Sequence, residues 1–339
     1  MPARAHQSTN KGADAVTVGT EVAAVAPFRL DLTAMALQRR RHNRIDVWDG
    51  SVLRRVMPAA SSGGVLPAPF LVEIRALDGQ SAVRVDVTGA ADAAALRLGG
   101  ERAVTSLLGL DRDLSGFYAM AASDPRLAPL VGRLRGLKPP RYPGLFEGLM
   151  NAVPCQQVTL SLGLQLLERL ARAYGPDLPY LAPFREAGPL ALPSAADLVG
   201  ADADAIGAMG FSRAKARTLI ELATAVHGGD LDLAAVERLP SPDALKSLTA
   251  LYGVGRWTAE YVLLRAAGRL DVYPDGDSGA RNGLARFLGE PGKPSYEWVA
   301  DQVAPWAPYA GFVYLHLLVD GLTRADTAGE LHRLLPDAP

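Results

Sequence analysis

Cysteine is almost missing: Cys155 is the only one in 339 residues. An intramolecular disulfide framework, a four-cysteine zinc site and a cysteine-ligated iron–sulfur cluster are thereby excluded. The five histidines, His6, His42, His227, His316 and His332, fall at no ligand spacing, so no catalytic metal is expected. Charge of one sign is lacking as well. With 35 Lys+Arg against 36 Asp+Glu the net charge is −1, so only local chemistry could argue for nucleic acid. No apolar run reaches the ~18 residues of a membrane span, and residues 1–26 have no signal-peptide core. The expectation is a cytoplasmic chain with no membrane partner. Neither a Ser-His-Asp arrangement nor a strand followed by a phosphate-binding glycine loop is present, and no solenoid-length repeat recurs.

What is there is a chain 49% hydrophobic and 21% charged, enough to bury a sizeable core over two or three domains. Residues 1–26, small and polar without period, read as a disordered tail. From residue 27 to about 112 the texture is that of a β-rich domain. Phe28–Leu32, Ile45–Trp48, Ser51–Val56, Phe70–Arg75 and Ala82–Val87 are short alternating runs, and Asp49-Gly50 and Asp78-Gly79 are hairpin signals. They predict an antiparallel sheet.

After about residue 90 apolar residues recur at three and four. The spacing predicts helices over 90–98, 101–107, 145–174, 195–207, 213–227, 242–251, 257–267, 279–288, 296–304 and 310–321. The Pro- and Gly-rich stretch 174–193 reads as a loop, and residues 113–339 as an all-helical body. The fold class is therefore α+β.

Within that body, Leu251-Tyr252-Gly253-Val254-Gly255-Arg256-Trp257-Thr258-Ala259 joins two predicted helices through Gly-x-Gly. Such a turn bares backbone N–H groups at the start of the second helix, where the helix dipole is positive, and makes a seat for phosphate. It needs no side-chain charge and reads no bases. A plain joint between packed helices fits the same spacing. Trp257 and Tyr261, four apart, share a face of the second helix. About 20 residues on lies Asp271-Val272-Tyr273-Pro274-Asp275-Gly276-Asp277. An aspartate before a helix is ordinarily an N-cap; a carboxylate facing the hairpin would equally suit acid–base or electrostatic catalysis.

These residues resemble the helix-hairpin-helix DNA repair glycosylases, whose motif reads L-x-G-[VI]-G-x-x-T-A. The resemblance implies that Asp277 is the catalytic carboxylate, Asp275 being the alternative register. It further implies that Gly253, Val254, Gly255, Arg256 and Thr258 meet DNA, and that carbonyls of Thr249, Leu251 and Val254 can hold Na⁺ or K⁺. Bifunctional members place lysine where Trp257 stands, and an indole cannot attack C1′. The implied activity is monofunctional excision of alkylated bases of the 3-methyladenine and 7-methylguanine type, with no required cofactor.

Further anchors carry the resemblance over most of residues 28–321. Gln156 and Gln157, after Cys155 at a usually glycine position, match the segment that fills the gap in duplex DNA, or cap a helix end. Arg213 and Lys215 in Gly210-Phe211-Ser212-Arg213-Ala214-Lys215 match a turn near phosphate, or a solvated helix start. The resemblance assigns Trp257, Tyr261 and Tyr309 to the base pocket, with Tyr273 in the same cleft or plugging its loop. The segment 304–316 matches less well, Ala310 and Gly311 standing where Arg and Ser or Thr are usual. Met35 and Leu37 either close the pocket or belong to the core, and His316 reads as a core histidine. The N-terminal strands imply a TATA-binding-protein-like sheet. Damaged double-stranded DNA is the implied partner of a monomer associated with the nucleoid. Two alternatives stand beside this reading: a glycosylase for oxidised or deaminated purines, and a non-catalytic hairpin DNA-binding protein.

Overall fold

The computed structural model describes residues 15–60 and 64–324. Five antiparallel strands, β1 (Val16–Ala23), β2 (Val47–Trp48), β3 (Val52–Met57), β4 (Phe70–Ala76) and β5 (Ala82–Gly89), form one sheet in the order β1-β5-β4-β3-β2. Alternation sets the register: Val83, Val85 and Val87 of β5 face inward with Phe70, Val72 and Ile74 of β4. The two Asp-Gly pairs turn as expected, with Gly50 at φ 101° and Gly79 at φ 69°. Helix α2 (Ala93–Leu108) lies on this sheet. A Cβ on Gly100 would sit 2.3 Å from Val87 Cγ2, so the glycines at 99 and 100 allow close approach, and the two predicted helices run on as one.

Two N-terminal expectations are overturned. The supposed tail contains β1, which pairs with β5 from Val16↔Gly89 to Ala23↔Ala82; residues 1–14 lie outside the described part. Only Val22 of β1 is buried, and a solvated edge strand of small residues lacks the hydrophobic contrast by which strands are recognised. Phe28–Leu32 is not a strand but the entry to α1 (Leu30–Gln38). Nearly every residue of α1 is buried, and a helix covered on all sides shows no one-faced period.

The rest of the described chain is helical: α3 (Ser115–Ser123), α4 (Leu127–Arg133), α5 (Leu145–Cys155), α6 (Leu160–Tyr174), α7 (Ala195–Leu198), α8 (Ala203–Ala208), α9 (Arg213–Gly228), α10 (Leu233–Arg238), α11 (Ser241–Thr249), α12 (Arg256–Arg265), α13 (Ser278–Leu288), α14 (Tyr296–Val303) and α15 (Ala310–Arg324). The predicted helices 145–174 and 195–207 each split in two. Thr159 caps α6 through Leu162 N–H and Asp202 caps α8 through Asp204 N–H, which restarts the helix after each break. α3, α4 and α10 were not expected. Among the described residues no helix is long and apolar enough to cross a membrane.

Two apolar clusters result. One joins the sheet to α5, α9, α11 and α12; the other gathers α3, α4, α13 and α15, and α1 contributes to both. Between the sheet and α5, fully buried Arg55 of β3 bonds both Asp46 and Glu147.

Candidate active site

Between the two clusters opens a cleft of about 1550 Å³, larger than the roughly 300–1,000 Å³ of a small-molecule pocket. The α11–α12 hairpin forms one lip. Gly253 turns the chain at φ 71°, and a Cβ there would meet Thr218 Oγ1 of α9 at 1.9 Å, so position 253 requires glycine twice over. Val254 is buried, while Gly255 is the N-cap of α12 and gives the helix start no side-chain cap. The first N–H groups of α12 are thus left for a ligand, as an anion seat requires.

Gln156 braces the lip: its Nε2 donates to Gly253 O at 2.8 Å and to Thr258 Oγ1 at 3.0 Å. Thr258 is buried and engaged in this tether, not presented outward. Gln157, exposed at φ 54°, stands at the cleft beside it. Cys155 also lines the cleft, and Gly163 of α6 leaves room for it, since a Cβ at 163 would lie 2.4 Å from its Sγ. Burial pushes the Cys155 thiol up.

The wall is aromatic. Trp257 stacks on Tyr261 with ring centroids 5.7 Å apart and planes at 28°. The Tyr261 hydroxyl shares a 2.9 Å bond with that of buried Tyr142, and burial raises its phenol well above the usual range. Arg265 continues the same helix face, so Trp257, Tyr261 and Arg265 descend from mouth to floor at i, i+4 and i+8. Arg39, at the end of α1, approaches the Tyr261 ring to 5.8 Å. Both arginines are buried and line the cleft. Arg39 Nε and Arg265 Nε and Nη1 have no hydrogen-bond partner, and neither side chain forms an ion pair among the described residues.

On the other side, Asp277 lines the cleft as N-cap of α13. Its Oδ1 accepts from Gly279 N–H at 2.7 Å and Ala280 N–H at 3.4 Å. No protein group among the described residues bonds Oδ2. Capping and an available carboxylate oxygen therefore coexist in one side chain. Asp275 is turned away into an ion pair with Arg256 at 2.6 Å, which disfavours the alternative register.

Several expected residues lie elsewhere. Tyr309 packs edge-on against Phe117, centroids 5.7 Å apart, and does not line the cleft. Tyr273 is buried, donates to Ala280 O at 2.9 Å and plugs the loop from behind. Tyr309 was assigned to the site by the resemblance and Tyr273 by its nearness to Asp275, and both instead pack among neighbouring side chains and main chain. Arg256 does line the cleft, exposed and held by Asp275 and Glu260. Lys215 donates to Pro154 O at 3.0 Å and ties α9 to α5, while Arg213 is exposed at the start of α9, outside the cleft. Met35 and Leu37 are core. His316 is core as well; burial lowers its imidazole to about 4. Among the described residues no cluster of three or more His, Cys, Asp or Glu could hold a metal. Sequence reasoning missed Tyr314, Arg39 and Arg265; only the i+8 spacing of Arg265 carried a signal.

A hairpin with a bare helix start, a stacked aromatic pair and a carboxylate thus line one cleft. Residues 150–308 match the HhH-GPD superfamily of base excision DNA repair proteins. A DNA-3-methyladenine glycosylase of Bacillus subtilis is 26% identical over 215 residues, 61% of this chain and 67% of that protein. DNA-3-methyladenine glycosylase 2 of Escherichia coli is 29% identical over 191 residues, 55% of this chain and 63% of that protein. The chain thus spans about two thirds of the length of these relatives. In fold it is similar to a 3-methyladenine DNA-glycosylase from Archaeoglobus fulgidus, with TM-score 0.74 and 20% identity over 91% of this chain and 99% of that one.

Proposed function

We propose that the protein is a DNA glycosylase that everts an alkylated base from duplex DNA and hydrolyses its N-glycosidic bond. The observation that carries this is Asp277, which lines the same cleft as the Trp257–Tyr261 stack while its Oδ2 bonds no protein group among the described residues. A base must leave the stack to be cut, and the aromatic wall offers it a π surface. As the C1′–N bond breaks, its electron pair leaves with the base and positive charge grows on the deoxyribose. The Asp277 carboxylate stabilises that charge and accepts a proton from the water that adds to C1′. The hairpin N–H groups hold a backbone phosphate; Gln157 fills the vacated stack. Carbonyls of Thr249, Leu251 and Val254 are the donors available to a monovalent cation there.

Trp257 in the lysine position supports hydrolysis without strand cleavage. The test is chromatography of bases released from methylated DNA by wild type and Asp277→Asn, with strands assayed before alkali. Free 3-methyladenine or 7-methylguanine from wild type alone, on intact strands, supports the proposal; nicked strands refute the monofunctional part. A monomeric protein acting at the cytoplasmic nucleoid completes the reading, and sedimentation with and without a DNA duplex tests its monomeric state.

A second reading, excision of deaminated or oxidised purines, is favoured by Arg39 and Arg265. Two buried guanidinium groups behind the aromatic wall disfavour a cationic base and suit a neutral one. Faster release of hypoxanthine than of 7-methylguanine would select it.

A further inference from the structure

The segment 270–277 that carries Asp277 has no regular secondary structure, yet the chemistry needs its carboxylate at a fixed distance from the aromatic wall. Glu260 of α12 is 3% exposed. Its Oε2 accepts from Gly276 N–H at 2.9 Å, one residue before Asp277. Its Oε1 accepts from Arg256 Nε at 2.6 Å, and Arg256 Nη2 donates in turn to Asp275 Oδ2 at 2.6 Å. Arg281 of α13 donates to the Asp275 carbonyl, and Arg256 and Arg281 both lie on the Tyr296 ring, at 5.5 and 4.8 Å from its centroid. A Cβ on Gly276 would stand 2.7 Å from Trp257 Cα. Residues 275 and 276 are therefore gripped by main chain and side chain against the first two turns of α12.

We infer that Glu260 is a positioning residue for Asp277. Through the Gly276 N–H and Arg256 it fastens the Asp277 loop to the helix that carries Trp257 and Tyr261. The inference rests on the reading of Asp277 as the carboxylate that meets the sugar. Glu260 itself touches neither sugar nor base. Wall and carboxylate are thus both indexed to one rigid helix, and their separation does not depend on the loop alone. A displacement of about 1 Å in a reacting group costs on the order of 100-fold in rate. The hairpin turn has a tether of its own, from Gln156 Nε2 to Gly253 O and Thr258 Oγ1, which does not involve Glu260.

The test is single-turnover base release and duplex affinity for wild type, Glu260→Ala, Glu260→Gln and Asp277→Asn. Glu260→Ala is expected to lower kcat on the order of 100-fold with KM and duplex Kd within about twofold. Glu260→Gln keeps an oxygen to accept from Gly276 N–H and loses the charge on Arg256, so it should recover about tenfold of that loss. Wild-type kcat in Glu260→Ala, with Asp277→Asn inactive, overturns the assignment and leaves Asp277 catalytic. Loss of kcat and duplex affinity together, or Glu260→Gln no better than Glu260→Ala, shows a merely structural role and also overturns it. If wild type releases no base, or Asp277→Asn matches it, the underlying reading falls and this assignment with it.

Discussion

Asp277 divides its two oxygens between tasks. Oδ1 caps α13, and Oδ2 bonds no protein group among the described residues. An asparagine keeps an oxygen for the cap and removes the charge, so Asp277→Asn should abolish base release with little change in Tm. Asp277→Ala removes both and should lower stability by about 1 kcal/mol as well; base-release assays beside thermal melts separate the two effects. Glu260 has a pH signature of its own. Burial raises its carboxyl from 4.5 to about 7, with Arg256 and Asp275 its charged neighbours. Between those values the folded state binds more proton than the unfolded chain, so this group's contribution to stability is greatest at low pH and is lost as pH rises through about 7. Wild type should therefore lose Tm relative to Glu260→Gln between pH 5 and 8, as read by calorimetry in matched buffers. At this scale Asp277, Trp257 and Tyr261 were legible because motif and spacing fix them on adjoining elements. Tyr314 and Arg39 were not, because they arrive from α15 and the end of α1, and nothing local to either sequence marks the cleft. Tyr273 and Tyr309 misled because an aromatic ring near a site serves as readily as filler beneath it.

Among the elements, the hairpin was read with its bounds nearly intact, since its glycines and flanking apolar positions are all local signals. Gly253→Ala is the sharpest test of it. Positive φ costs an alanine about 1 kcal/mol, and the Thr218 overlap adds to this. The variant is expected to lose Tm and duplex affinity together, measured by melting and by fluorescence anisotropy at fixed salt. The affinity it retains should fall with salt and show no preference among undamaged sequences. Helix α1 and strand β1 mark where local reading fails. The first is buried on all sides and the second scarcely at all, so neither displays the half-and-half pattern from which periodicity is inferred. Continuous α2 shows the reverse case: paired glycines suggested a break, and contact with Val87 and Leu66 accounts for them.

For the molecule as a whole, the sheet is bound to the helical body by Arg55 with Asp46 and Glu147. Arg55→Leu would leave two buried carboxylates facing each other. An uncompensated buried charge of this kind costs about 3–5 kcal/mol, and urea unfolding should register a loss of that size. Replacing all three groups together by apolar residues of similar volume should restore most of it. The α+β division was visible in the sequence because hydrophobic period changes near residue 90. The cleft was not, because its walls come from α1, the α5–α6 connection, α12, α13 and α15.

Strand β1 is the first described element in the chain, yet among the described residues the strand it pairs with is β5. During synthesis it must wait for roughly 60 further residues, or about 3–12 s at ordinary ribosomal speed. The β4–β5 hairpin can close first, because its strands are neighbours in sequence. The opening segment therefore joins a sheet already under way, and for those seconds it is a free β edge that the nascent chain has to keep from other partners.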